Sequence, residues 1–244
     1  MSFADLPVVT PEQMAAVDRA MSEQLAIDLR QVMETAGQAV ARFARERFLA
    51  GDPIGKRVTL LCGNGGNGGD GFVAARILQG WGAHVTVIAV RPRAELTGVA
   101  SQQAEILERC GIPVQPPDAE FDPQSDLVID ALLGFSLRGD PRGAYADLIR
   151  CSNAREAPVL AVDLPSGLNG ASGEPLDPCI RATATLTLGL PKTGLLAATA
   201  KPYVGSLTVA DVSIPLAAYR AIGLDLGPVF SSAEWISLAR RSGP

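Results

Sequence analysis

The sequence predicts a single α/β domain: one doubly wound, mostly parallel sheet with helices on both faces, preceded by two helices. Three observations carry this. From Arg57 onward, short runs of almost unbroken apolar residues recur, the pattern of strands buried on both faces rather than the alternation of a half-exposed sheet. The intervals between them have helical periodicity, so the chain reads as successive β-α-β units. A chain of 244 residues, 47% apolar and 19% charged, can bury about 70% of its unfolded surface in one core. No repeat, low-complexity tract or linker divides residues 1–244.

Thr10, Pro11 and Gln13 supply an N-cap, a first-turn proline and the third member of a capping box, and Met14, Val17 and Met21 follow at helical spacing. A helix opens there. A second begins near Asp28 and places Leu29, Val32, Met33, Ala36, Gly37, Val40, Ala41 and Ala44 on one stripe, which is expected to pack on the sheet. Two helices ahead of any strand could instead form the surface of a homodimer; core packing is the simpler reading. Strands are then expected at 58–62, 85–90, 127–133, 159–162, 184–188 and 207–209, with helices at 72–78, at 99–110 closed by Gly111, and at 144–151. Residues 242–244 read as loose.

Charge and cysteine usage exclude several classes. Lys plus Arg number 21 and Asp plus Glu 26, a net charge of -5. The basic residues do not run together, so the phosphate-neutralising stripe of a nucleic-acid binder is missing and a small-molecule ligand is expected. Gln79, Gly80, Gly82 and His84 interrupt the uncharged stretch 77–90, which is too short and too polar to cross a membrane. Cys62, Cys110, Cys151 and Cys179 are widely spaced, and with one histidine in the chain they make no zinc pattern. Residues 1–9 carry Asp5 and lack a basic stretch followed by an apolar one, so reduced thiols and a cytoplasmic location are expected.

In a doubly wound, Rossmann-like sheet the ligand lies outside the carboxyl ends of the strands. Three loops there stand out. The first, 63–71, holds six glycines in nine residues and opens a helix, so main-chain N–H groups can approach a ligand closely. Gly63, Gly65 and Gly68 form a G-x-G-x-x-G match. However, the second strand runs into Arg91-Pro92-Arg93, and no Asp or Glu occurs between Gly71 and Ala94 to hold a ribose, which disfavours a dehydrogenase. No lysine follows the glycines, so this is not a Walker loop. The second loop follows Asp130, a carboxylate inside an apolar strand end, which is costly to bury without compensation. The third, Asp163-Leu164-Pro165-Ser166-Gly167, repeats the theme with a hydroxyl three residues on.

Asn67, Asp130 and Ser166, with loop carbonyls, form an oxygen donor set suited to a hard cation such as potassium, sodium or magnesium. Ser166 is not a hydrolase nucleophile: positions 164 and 168 are leucines, and the sole histidine, His84, begins a strand far from the rim. Asp163 is the candidate general acid/base, since a carboxylate at a strand end beside a cation can accept and return a proton. Lys192, one of three lysines, could reach an anionic ligand or sit solvated in its loop.

Together the loops resemble the NAD(P)H-hydrate epimerase family, the YjeF N-terminal domain. The likeness rests on Val32-Met33-Glu34-Thr35-Ala36-Gly37, Asn67-Gly68-Gly69-Asp70-Gly71, the segment 130–140 and Asp163-Leu164-Pro165-Ser166-Gly167. Pro191-Lys192-Thr193-Gly194 and Ala210-Asp211-Val212-Ser213-Ile214-Pro215 extend it. It covers about residues 10–215 and departs at Gly66, where the family often has Asn. The resemblance implies an isomerase of cofactor repair, interconverting the epimers of hydrated NADH and NADPH. It implies potassium held by Asn67, Asp130 and Ser166. Substrate contacts would come from Gly66, Asn67, Gly68, Gly69 and Asp70, from Gly134, Phe135, Ser136, Leu137, Arg138, Gly139 and Asp140, and from Asp163, with Lys192 as a further candidate. It also implies an ADP- or ATP-dependent hydrate dehydratase as functional partner, expected on a separate chain because 244 residues leave no room for it. The competing reading is a non-catalytic nucleotide-binding or protein-interaction module on the same fold; such a module could dispense with the acids that this sequence keeps.

Overall fold

A computed structural model describes residues 6–238; the expectation for 242–244 lies outside them, as do residues 1–5 of the N-terminal segment. Eight strands form one sheet in the order β3-β2-β1-β4-β5-β6-β7-β8. They are β1 (Arg57–Cys62), β2 (His84–Ala89), β3 (Val114–Gln115), β4 (Leu127–Ala131), β5 (Val159–Val162), β6 (Ala184–Leu188), β7 (Ser206–Ala210) and β8 (Trp235–Leu238). All pairings are parallel except that of β8 with β7. The chain winds outward from β1 to β3, then returns to place β4 on the other side of β1. The β1–β4 junction is therefore the switch point at which a ligand crevice is expected.

The helices are α1 (Pro11–Glu23), α2 (Leu29–Arg47), α3 (Gly66–Gly80), α4 (Gly98–Arg109), α5 (Ala144–Asn153), α6 (Lys201–Val204) and α7 (Leu216–Arg220). The α1 capping box forms as expected: the Gln13 N–H donates to Thr10 Oγ1 at 3.2 Å, and the Thr10 N–H to Gln13 Oε1 at 2.9 Å. Asp28 caps α2 through the Arg30 N–H at 2.9 Å. Successive strand residues feed different cores. Leu60, Leu127 and Ile129 pack with Phe43, Phe72 and Leu78 on one face, while Leu61 and Val128 pack with Leu148 and Ile149 on the other. Helices thus cover both faces of the sheet. A third cluster joins α1 and α7 to Leu164, Leu190 and Leu207.

Four expectations change. The α2 stripe packs on α3 as well as on the sheet core: a Cβ on Gly37 would lie 2.5 Å from Val73 Cβ and 2.8 Å from the Asp70 carbonyl oxygen, so only glycine allows that crossing. Helix α3 begins at Gly66 rather than 72, because tight packing of its first turn overrides the poor helix propensity of glycine. Strand β4 ends at Ala131 rather than 133, since the next N–H, that of Leu132, donates to the Asp130 carboxylate at 3.2 Å. Strands β3 and β8 are additional, β3 only two residues long and β8 in the region beyond 216. Among the described residues no helix is long and apolar enough to cross a membrane.

Candidate functional site

A cavity of about 530 Å³ runs along the carboxyl edge of the sheet. Its floor comes from the ends of β2, β1, β4, β5, β6 and β7, and α1 and α2 wall it through Met14, Asp18 and Met33. The N-terminal helices therefore help to build the site.

Asp163 follows β5 and is 4% exposed. Its backbone is left-handed, with φ 67°, and the Leu164 N–H closes a three-residue turn onto the Val162 carbonyl at 2.9 Å. A non-glycine residue holds such a conformation only where its surroundings impose it. Here they do: Oδ1 accepts from Lys192 Nζ at 2.5 Å, Thr187 Oγ1 at 3.3 Å and the Leu188 N–H at 3.4 Å. The other oxygen faces the cavity, where a Cβ on Gly134 would meet Oδ2 at 3.4 Å and Asn67 Cβ and Cγ at 3.6 Å. One carboxylate oxygen is fixed and one is open.

Lys192 is 1% exposed, which overturns the solvated-loop alternative. Its loop is pinned by Val9, whose N–H donates to the Pro191 carbonyl at 3.0 Å and whose carbonyl accepts the Thr193 N–H at 2.9 Å. Besides Asp163, Nζ donates to the Leu188 carbonyl at 2.9 Å and lies 5.7 Å from the Phe135 ring centroid. A buried ammonium so satisfied serves as the fixed counter-ion of Asp163.

Asp130 and Ser166, both 0% exposed, form a knot between the β4 and β5 loops. Ser166 Oγ donates to Asp130 Oδ1 at 2.6 Å, the Ser166 N–H to Oδ2 at 2.8 Å, and the Leu133 N–H to Ser166 Oγ at 2.9 Å. Burial pushes the Asp130 carboxyl up to about 6, against the hydrogen bonds from Ser166. Asn67 lies beside Gly134, and its buried amide nitrogen has no hydrogen-bond partner. Turned by 180°, that amide places an oxygen at the orphaned position. Among the described residues no three His, Cys, Asp or Glu side chains cluster as metal ligands. One carboxylate, neutral oxygens and an unsatisfied amide fit a weakly charged cation and not a divalent one.

Gly66, Asn67, Asp70, Gly134, Phe135 and Ser136 line the cavity; Gly68 and Gly69 do not. Those two glycines are packing positions: a Cβ on Gly68 would lie 1.9 Å from the Gly63 carbonyl oxygen, and one on Gly69 would lie 2.4 Å from Met33 Sδ. Leu137, Arg138, Gly139 and Asp140 continue the loop outside the cavity wall, and Asp140 Oδ1 accepts from the Asp177 N–H at 3.2 Å.

Asp70 sits in the second turn of α3 and does not cap it; Gly65 is the N-cap. It is 8% exposed, and burial, reinforced by the Asp163 and Asp18 carboxylates, pushes its carboxyl well above the usual range. Sequence reasoning missed Asp18, which burial pushes up to about 6 with Lys192 opposing. Its signal was present: Asp18 is four residues after Met14, an acid on the buried stripe of α1. The cavity thus offers a carboxylate paired with lysine, a buried acid whose carboxyl is pushed up, and the first-turn N–H groups of α3, which have no carbonyls behind them.

Residues 29–194 match the family described as YjeF-related protein N-terminus. The chain is 36% identical over 219 residues to the NAD(P)H-hydrate epimerase of Rhodopirellula baltica, covering 88% of each. It is 38% identical over 224 residues to the bifunctional NAD(P)H-hydrate repair enzyme Nnr of Pyrobaculum aerophilum, covering 88% of this chain and 43% of that one. The crystal structure of the yeast protein YNL200c superposes with a TM-score of 0.79 at 27% identity, over 96% of this chain and 100% of that one. With the fold, the rim loops and both sequence matches in agreement, this chain belongs to the YjeF-related N-terminal family.

Proposed function

We propose that the chain is an NAD(P)H-hydrate epimerase, an isomerase of cofactor repair. The observation that carries this is Asp163: a buried carboxylate with one oxygen held by Lys192 and the other open to a cavity of dinucleotide size. The carbon that is epimerised bears a hydroxyl and the ring nitrogen. If its bond to nitrogen opens, the hydroxyl gives up a proton as the carbonyl forms and the ring nitrogen takes one; reclosure reverses both transfers, and Asp163 Oδ2 is the group we assign to accept and return the proton at oxygen. Lys192 orients that carboxylate, and Asp70 lines the same cavity. The N–H groups at the start of α3 suit the pyrophosphate.

Potassium, when bound by Asn67, Asp130 and Ser166, would tie the glycine loop to the two aspartate loops; its part is positional. The functional partner in this reading is an ADP- or ATP-dependent dehydratase, fused in the bifunctional relatives and supplied here by a separate chain, with both acting on the cytoplasmic cofactor pool. The test mixes both epimers of the hydrate with an epimer-specific dehydratase. The wild type should lead to consumption of the half that the dehydratase cannot use, and Asp163→Asn should slow that phase about 100-fold or more. An unchanged rate in the variant would remove Asp163 from the mechanism; no consumption with the wild type would remove the epimerase.

A further inference from the structure

The Arg91-Pro92-Arg93 segment after β2 has no part in the chemistry above, and its two arginines differ in their engagements. Arg93 is committed, to Glu108 at 3.2 Å and to Ser101 Oγ at 3.2 Å. Arg91 is exposed and lines the cavity, and among the described residues it makes no ion pair or hydrogen bond. The other cation on the cavity wall, Lys192, is taken up by Asp163. Arg91 is thus an unengaged cation on the cavity wall.

Resting on the epimerase reading, we propose that Arg91 recognises the 2′-phosphate of the adenosine ribose, so that the enzyme prefers hydrated NADPH to hydrated NADH. The position follows from the topology. The order β3-β2-β1-β4-β5-β6 is that of sheets in which a dinucleotide lies across the switch point, pyrophosphate at the first glycine loop and adenosine toward the end of the second strand. With the reacting ring at Asp163 after β5, the other end of the ligand reaches toward β2. From β5 to β2 is three strand spacings, about 14 Å, a span for a pyrophosphate-linked dinucleotide rather than a mononucleotide. Val99, and Tyr145 whose hydroxyl accepts from the Asn64 N–H at 3.3 Å, wall that end. At the end of the second strand an acid would select the ribose 2′-hydroxyl and an arginine the 2′-phosphate. Residues 71–94 contain no Asp or Glu, and Arg91 is the residue in place. A guanidinium grips a phosphate through paired donors, which gives geometry as well as charge.

The test is titration calorimetry with 2′-phospho-ADP-ribose and ADP-ribose, probes that lack the reacting ring. The wild type should bind the phosphorylated probe at least about tenfold more tightly. Arg91→Ala should bring the ratio to within about twofold of unity, and Arg91→Glu should reverse it. Equal affinities in the wild type, a preference that survives Arg91→Ala, or binding of neither probe would overturn the proposal. Failure of the epimerase reading would look different: neither hydrate would epimerise, while the probe preference and its loss in Arg91→Ala would persist.

Discussion

The Asp163–Lys192 pair concentrates the cost and the use of this site in two side chains. Both are almost fully buried, so removing one leaves a charge without compensation, whereas removing both removes the need for it. Lys192→Met is therefore expected to cost about 3 kcal/mol in urea denaturation, and the double variant Asp163→Asn/Lys192→Met to recover most of that loss. Strictly additive losses would show that the pair is not coupled. Asp18 offers a test by pH. Its folded-state value of about 6 lies above the ordinary 3.8, so the native protein holds the proton more tightly than the unfolded chain. Its contribution is favourable at low pH and is lost as pH rises from about 4 through 6. Asp18→Asn should then raise stability at pH 8 by about 1 kcal/mol, after discounting for its partial exposure, and leave it nearly unchanged at pH 4. Melting curves displaced equally at both pH values would contradict this.

Among the elements, the loops after β1, β4 and β5 meet at one cavity. Asp130 and Ser166 tie two of them directly, while Asn67 on the third has a buried amide atom with no protein partner. A monovalent cation there would link all three. Exchanging sodium for potassium at about 0.1 M should raise the melting temperature of the wild type by about 2–4 °C, as expected for a site with a dissociation constant of about 20 mM. Asn67→Ala, which leaves the Asp130–Ser166 knot intact, should abolish that increment. An increment that persists in the variant, or none in the wild type, would remove potassium from this site.

Over the whole molecule, the acidic balance of -5 and the dispersed arginines predict no appreciable DNA or RNA affinity at physiological salt. Salt-sensitive retention in a filter assay would contradict it. At the same scale, the single sheet joins sites distant in sequence. Asp18 comes from α1, Arg91 from the end of β2, Asp163 from the end of β5 and Lys192 from beyond β6, and all four line one cavity.

Much of this was legible in the order of residues. Unbroken apolar runs separated by helical intervals require parallel strands with helical crossovers, because only burial on both faces tolerates such runs. The shared direction of those parallel strands then puts every loop of interest at one edge, and Asp130 and Asp163 are conspicuous as acids at apolar strand ends. Helix α3 was obscured because six glycines in the 63–71 stretch read as loop; what makes it a helix is close packing against Gly63 and Met33. Strands β3 and β8 are short edge strands whose pairing comes from their neighbours. Lys192 looks like any loop lysine until the Val9 contact folds its loop inward, and Asp18 and Arg91 gain meaning from what stands opposite them. Local pattern settles which segments must be buried, since burial is a property of each run. Partners across the cavity are settled by folding, since they depend on distances between segments up to about 170 residues apart, which local propensity does not encode.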